Sequence, residues 1–382
     1  MRADLRGIAE KLALAAALAS IGYTAFALTR VRTFGRRVRE RAPAKTRPSI
    51  TVLKPVHGLE PGLEANLRSF CEQDYPGFAV VFGVHRADDP ALGIVRRVAA
   101  EFAERTTVVV GDGIARHRNP KIANLAPMLA HANGDVLVIA DSDMRVTPGY
   151  LDAIAAAFDD PRAGAVTALY RGEPADDTLA SALGAMWITE QFAPSALVAH
   201  ALEPLAHTFG ATMAVRRSAF DALGGLDALG GRLADDHALG KLVTEHGHTV
   251  ALAAYVVENT VAERGVRALI RHEVRWARTI RSVRPGSYPG IALTYPIPLA
   301  LLHFALASRK MPALALVALA VSARLALRGA AHAALGCRTT PSAALVPLRD
   351  ALGIGVWALG LFGRGVRWRE SALRITPHGD IT

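Results

Sequence analysis

The sequence predicts an α/β chain: a doubly wound parallel sheet, preceded by one transmembrane anchor and followed by further membrane helices. Three observations lead there. Short apolar, β-branched runs such as residues 136–140 alternate with amphipathic stretches, the pattern of strands that cross over through helices. The run 136–140 ends abruptly in Asp141-Ser142-Asp143, as a strand buried on both faces does when it delivers its loop to the carboxyl edge of such a sheet. The hydrophobic excess is also uneven. Apolar residues make up 51% of 382 and the mean hydropathy is +0.23, but the excess sits at 12–29 and beyond Tyr288, flanking a middle of ordinary polarity.

Residues 12–29 are long enough to cross a bilayer. The arginine-rich stretch 30–47 follows this run instead of leading it, and no small-residue cleavage site intervenes. A retained anchor with its N-terminus outside is therefore expected, not a cleaved signal peptide. Residues 49–53 read as the first strand, with Lys54-Pro55-Val56-His57-Gly58 as a loop. A helix over 61–73 carries Leu63, Leu67, Phe70 and Cys71 on one stripe and stops at Asp74-Tyr75-Pro76. A second strand spans 78–85 and leads to Ala87-Asp88-Asp89-Pro90. Leu92, Val95, Val98 and Phe102 place a helix, and 106–110 a third strand. Asn119-Pro120-Lys121 opens the next helix, with Asn as N-cap and Pro at the first helical position. The strand 136–140 is the fourth.

Further on, 165–170 reads as a strand. The weakly charged stretch 181–207 suits a membrane-surface segment, a cleft wall or a core helix. Residues 209–215 lead to a short helix capped by Ser218 and closed by Gly224-Gly225. Asp235-Asp236 begin a helix that ends at Gly247, and 248–255 is a late strand. A strongly basic stretch, 264–284, contains Arg275-Trp276. Residues 288–308 and 311–327 are expected to span the membrane. Residues 343–363 are expected to be re-entrant or interfacial, because Arg349 and Asp350 interrupt them and because three clean spans would leave the basic tail 364–374 outside. The boundaries that follow are an anchor at 1–30, a basic linker at 31–48, a cytoplasmic domain at 49–285, and a membrane region with its tail at 286–382.

The net charge of +10 does not point to nucleic acid. It gathers next to the membrane segments, where it meets anionic lipid, and the chain carries no helix-turn-helix, zinc-finger or RNA-binding signature. Two cysteines, Cys71 and Cys337, provide neither a disulfide framework nor a zinc site. The chemistry lies in the acids. Carboxylates at the end of a sheet strand can hold a divalent cation through hard oxygen ligands, and the cation can hold a diphosphate. That is what transfer from a nucleotide sugar requires. Asp236, at a helix start, is the candidate base, and the helix dipole favours its ionised, weakly basic form. A plain N-terminal capping role is the alternative.

The motifs together resemble the ceramide glucosyltransferase family of membrane-bound, inverting glycosyltransferases, and within it the bacterial hopanoid-biosynthesis-associated branch. The landmarks are Leu53-Lys54-Pro55 with Gly58, Asn66-Leu67, Asp74-Tyr75-Pro76, Asp88-Asp89-Pro90, Asn119-Pro120-Lys121-Ile122 with Asn124-Leu125, Asp141-Ser142-Asp143, Asp235-Asp236 and Arg275-Trp276. The resemblance implies a nucleotide-sugar-binding domain of the GT-A type. It implies Asp89 on the uridine, Asp141 on ribose or sugar, Asp143 on Mg2+ or Mn2+, Asp236 as catalytic base, and Arg275 with Trp276 over the diphosphate and acceptor. Lys121 either approaches the nucleotide or stays solvated near its helix start. The family's last motif begins with Gln or Arg, whereas His272 stands there in this chain. The implied partners are a UDP-sugar, the bilayer and a lipid acceptor. The acceptor would be a hopanoid such as bacteriohopanetetrol receiving N-acetylglucosamine, with ceramide as the alternative. The implied location is a bacterial inner membrane with the domain on the cytoplasmic side. A processive polysaccharide synthase would want more spans after the domain and an intact Gln-x-x-Arg-Trp.

Overall fold

A computed structural model describes residues 2–114, 116–363, 365–368 and 371–374. Arg364, Arg369 and everything beyond Arg374 in the expected basic tail lie outside the described residues. The chain begins with a long helix, α1 (Arg2–Arg39), followed by β1 (Ile50–Val56), α2 (Leu63–Cys71), β2 (Phe78–Val84), α3 (Leu92–Glu101) and β3 (Thr106–Val110). Next come α4 (Pro120–Leu125), β4 (Val136–Ile139), β5 (Met144–Arg145), α5 (Tyr150–Ala157), β6 (Ala163–Pro174), α6 (Leu179–Trp187) and α7 (Ala193–Leu202). Then follow β7 (Met213–Arg216), α8 (Arg217–Ala222), α9 (Asp235–Glu245), β8 (Thr249–Val261) and α10 (Val266–Val283). The last long helices are α11 (Pro296–Leu306), α12 (Lys310–Leu335) and α13 (Val346–Gly360). Contacts divide the chain into two compact units.

Among the described residues the first unit comprises 38–175, 203–262 and 373–374, and holds the eight-stranded sheet. Its strand order is β3-β2-β1-β4-β7-β6-β8-β5. The first four strands are parallel to one another, as their alternation with helices implies. The rest is mixed: β7 runs antiparallel to β4 and β6, β6 is parallel to β8, and β5 is antiparallel to β8. The expectation of a wholly parallel sheet is corrected there. Apolar content marks a segment as a strand, but its direction is set by partners far away in sequence. The core on one face of the sheet packs Leu67 and Phe70 of α2 and Val95 and Val98 of α3 against Val52, Val80, Phe82, Val136 and Val138.

Local chemistry explains where elements start and stop. Asn119 caps α4 by accepting from the amides of Lys121 and Ile122 at 2.9 and 3.4 Å, and Pro120 takes the first helical position. Lys54-Pro55-Val56 is strand, not the expected loop. Pro55 is tolerated in a central strand because β4 pairs only as far as Leu53, so no ladder bond is missing on that side. Ser218 does not cap α8, which starts one residue earlier with Arg216 at the cap position.

Among the described residues the second unit comprises 2–37, 176–202 and those of 263–372. Three of its helical segments are long and apolar enough to cross a membrane: Leu5–Arg39, Lys310–Leu335 and Ala343–Gly360. They make the chain a multi-pass membrane protein. The expected span at 288–308 is broken instead. The turn Tyr288–Thr294 and α11 meet at 80°, because Pro296 lacks an amide proton and forces Tyr295 out of helical geometry. Conversely, 343–363 is not the interrupted segment. Arg349 bonds Glu273 of α10, and Arg324 of α12 bonds Asp350 at 3.0 Å, so each charge that seemed to disqualify this helix is met by an opposite charge on another helix. The stretch after Thr178 is helical throughout, through α6, a π-helical turn at Ile188–Phe192, and α7. That turn presents fully buried Glu190 to Arg324, Arg328 and His332.

Candidate active site

Strands β2 and β3 build outward from one side of β1 while β4 lies on the other. Open α/β sheets bind ligands outside the carboxyl ends of the strands at such a switch point. The loops leaving β1 and β4 meet there. Lys54 sits in an otherwise apolar strand and is fully buried. Its Nζ donates to the Asp141 carbonyl and lies 3.9 Å from the Phe70 ring centroid. Burial pushes its ammonium down to about 8, against the pull of Asp143, Asp141 and Glu60.

Asp143 is held from below by β8. Asn259 donates to its Oδ2 at 2.9 Å, and the Thr260 amide donates to its carbonyl at 3.0 Å. Glu60 accepts from the Ser142 hydroxyl at 2.7 Å. Burial, and then the like charges of Asp141 and Glu60, push the Asp143 carboxyl up to about 7. Among the described residues no group of three or more His, Cys, Asp or Glu is arranged to hold a metal by itself. A carboxylate disfavoured by burial and by its neighbours' charge is one that a nearby divalent cation would stabilise, with Asp143 as the residue that would hold it.

Lys121, at the start of α4, reaches across the site. Its Nζ is 2.8 Å from Asp141 Oδ1 and 3.1 Å from Asp235 Oδ2, the latter an ion contact without hydrogen-bond geometry. Burial works against its ammonium, but Asp141, Asp235 and Asp236 outweigh burial and hold it above its ordinary value. Asp236 is the second residue of α9 and accepts from the His237 amide at 2.7 Å. The helix start alone favours a low, ionised carboxylate. Here burial, and after it Asp235, push Asp236 up to about 7 while Lys121 pulls the other way. Helix α9 approaches the 207–212 turn closely because position 240 is glycine. A Cβ there would lie 2.2 Å from the His207 Cα. The amide and hydroxyl of Thr208 then both donate to the Asp236 carbonyl, at 3.2 and 2.8 Å.

Asp89 ends the β2 loop as a clamp. Its carboxylate accepts from the Gly58 amide at 3.0 and 3.1 Å and the Ala91 amide at 2.9 Å, and lies 3.1 Å from His57 Nδ1. Arg275 and Trp276 lie on α10 in the other unit. Trp276 stacks on Trp187 with centroids 4.9 Å apart, and the His272 ring centroid is 4.1 Å away. His272 Nδ1 is 2.7 Å from Glu263. Within the sheet unit, then, Asp89, Lys121, Asp141, Asp143 and Asp236 all sit at loop or helix starts beyond strand ends. Lys54, Glu60 and Asn259 were not picked out as site residues. The signal for Lys54 was its place directly after the strand at 49–53; the other two carry none.

The family model of Glycosyl transferase family 21 matches residues 12–381, and the chain belongs to that family. Ceramide glucosyltransferase 1 of Caenorhabditis elegans is 25% identical over 244 residues, 64% of this chain and 52% of that protein. The ceramide glucosyltransferase of Komagataella phaffii is 28% identical over 165 residues, 40% of this chain and 32% of that protein. The chain thus spans about half, or less, of the length of these curated relatives. Among solved structures, the mannosyltransferase PcManGT from Pyrobaculum calidifontis, in complex with GDP-Man and Mn2+, has a TM-score of 0.55 at 23% identity. That match covers 93% of this chain and 99% of the other, and the likeness is one of fold.

Proposed function

We propose that the chain is an inverting glycosyltransferase that moves a sugar from a UDP-sugar to a hydroxyl of a membrane lipid. In this reading residues 49–285 supply a nucleotide-sugar-binding region of the GT-A type on the cytoplasmic side, between the anchor at 1–30 with its basic linker at 31–48 and the membrane region at 286–382. The observation that carries it is the bridge through Lys121. One ammonium joins Asp141 of the Asp-x-Asp loop to Asp235 beside Asp236, so donor-side acids and candidate base are parts of one site. The ceramide glucosyltransferases among the relatives favour a ceramide-type acceptor and glucose over a hopanoid and N-acetylglucosamine.

The mechanism follows from the placement. Asp236 takes the proton of the acceptor hydroxyl as that oxygen bonds the anomeric carbon and the bond from that carbon to the diphosphate breaks. A carboxyl pushed up to about 7 is a better base than an ordinary aspartate and is still substantially ionised at neutral pH. Asp143 would hold a divalent cation, which supplies charge to offset that of the departing diphosphate. Asp141, oriented by Lys121, faces ribose or sugar. Asp89 shapes the Gly58 loop on the uridine side, and Arg275 and Trp276 serve the diphosphate and acceptor. The test is glycolipid synthesis by the purified full chain from UDP-glucose and ceramide, with bacteriohopanetetrol as a parallel acceptor. A β-linked product from the α-linked donor is expected. No glycolipid from either acceptor, or retention at the anomeric carbon, would sink the reading.

A further inference from the structure

A proline explains the π-helical turn that interrupts the stretch after Thr178. Pro194 has no amide proton, and in a regular helix its ring would clash with the Glu190 carbonyl. The helix widens just before it, and the Ala193 amide bonds the carbonyl of Ile188, five residues back. In a regular α-helix the side chains of residues i and i+5 diverge by about 140°. Here Trp187 and Phe192 come together instead, stacked with ring centroids 6.0 Å apart and 23° between their planes. Trp276 of α10 stacks on the same indole, at 4.9 Å and 24°.

Buried polar groups hold the turn in place. Glu190 accepts from Arg328, lies 3.0 Å from His332 Nε2 through the same oxygen, and has its other oxygen 3.3 Å from Arg324 Nη2. Gln191 Nε2 donates to the hydroxyl and the carbonyl of Thr294, the latter at 3.0 Å. Glu190 and Gln191 are buried, whereas Trp187, Phe192, Trp276 and His272 are half-buried. The polar side of the turn is hidden, and its aromatic side is partly open.

We propose that Trp187 is a positioning residue for the lipid acceptor: stacked on Trp276, it fixes the plane in which that indole meets the acceptor. On its own helix Trp276 has His272 for a neighbour, with centroids 4.1 Å apart but planes tilted by 51°. The flat contact that selects one orientation comes from Trp187, and Glu190 and Gln191 keep the π-turn that delivers it. The inference rests on the acceptor role given to Trp276 above and adds to it a residue outside the Arg-Trp motif.

The experiment reads the stack and the acceptor separately, on the full chain in one detergent. Two stacked indoles couple their electronic transitions, so a far-ultraviolet circular dichroism couplet reports the Trp187–Trp276 pair independently of turnover. Trp187→Phe and Trp187→Leu should both erase it. Trp187→Leu should raise the KM for ceramide about three- to tenfold, the usual worth of an aromatic pair, and leave that for UDP-glucose within about twofold. Trp187→Phe keeps a ring in place and should hold both KM values within about twofold. Phe192→Leu leaves both indoles and should shrink the couplet and raise the ceramide KM by less, which keeps the test open if Trp187→Leu does not fold. Identical spectra for wild type and Trp187→Phe would overturn the stack. A lost or shrunken couplet with an unchanged ceramide KM in either leucine variant, or equal increases for both substrates, would leave Trp187 a packing residue and overturn the proposal. Trp276→Leu with an unaltered ceramide KM would overturn the acceptor reading itself, a different failure.

Discussion

Arg349 makes two parallel hydrogen bonds to Glu273, at 2.7 and 2.8 Å, with both side chains almost wholly buried among the membrane helices. Paired this way, the arginine is compatible with a spanning helix. Removing one partner leaves the other charge stranded. Arg349→Leu should destabilise the chain by about 3–5 kcal/mol, and adding Glu273→Leu should recover most of that loss. Thermal unfolding of the three proteins in one detergent checks this. A double variant no more stable than the single one would count against the pair.

The same pairing changes the membrane topology. We expect α13 to span the membrane and the bent Tyr288–Leu306 segment to be re-entrant, so that α12 and α13 form one excursion out and back. Cys337, between α12 and α13, should react with an impermeant maleimide from the outer side. Ser308→Cys in a Cys337→Ser background should not. The reversed labelling pattern would make the bent segment a full span.

Asp236 and its neighbour separate catalysis from capping. Asp236→Asn should lower transfer by a factor on the order of 10² or more while UDP still binds. Asp235→Asn should cost less and do something different. Removing the charge that raises Asp236 should move the acid limb of the pH profile below the wild-type position near 7. Lys121→Met should move that limb upward, because the ammonium pulls Asp236 down. Profiles of kcat/KM for the three variants test all of these shifts, and unmoved limbs would show that another group is the base.

The raised acids also set a stability trend. Asp143 and Asp236 lie near 7 in the folded chain, against an ordinary value near 4. Between those values the folded chain binds protons that the unfolded chain has shed. Metal-free stability should therefore fall as pH rises from about 4 to 7 and level off above. Asp143→Asn should flatten this slope by removing one such group. A slope of the opposite sign would contradict the placement of these acids.

Chelation gives a further test of Asp143. EDTA should abolish transfer by the wild type, and Mn2+ or Mg2+ should restore it. Asp143→Ala that stays fully active in EDTA would remove the cation from the proposal.

Sequence alone determined the local features of this protein. Asn119-Pro120 announced a helix start because one side chain can satisfy two stranded amides. Residues 136–140 announced a buried strand that stops before Asp141-Ser142-Asp143, because an apolar run cannot continue through charges. The apolar run 12–29 was legible too, but α1 continues through the arginines to Arg39, where a linker from 31 was expected, because arginine favours a helix. Tertiary structure decided whatever depends on a distant partner. The direction of β6, β7 and β8 came from strands far off in sequence. That 343–363 can carry Arg349 and Asp350 was decided by Glu273 and Arg324, which lie outside it. Asp236 looked like an ionised helix-start acid and became a group near 7, because burial and Asp235 outweigh a helix dipole whose influence falls off within one turn.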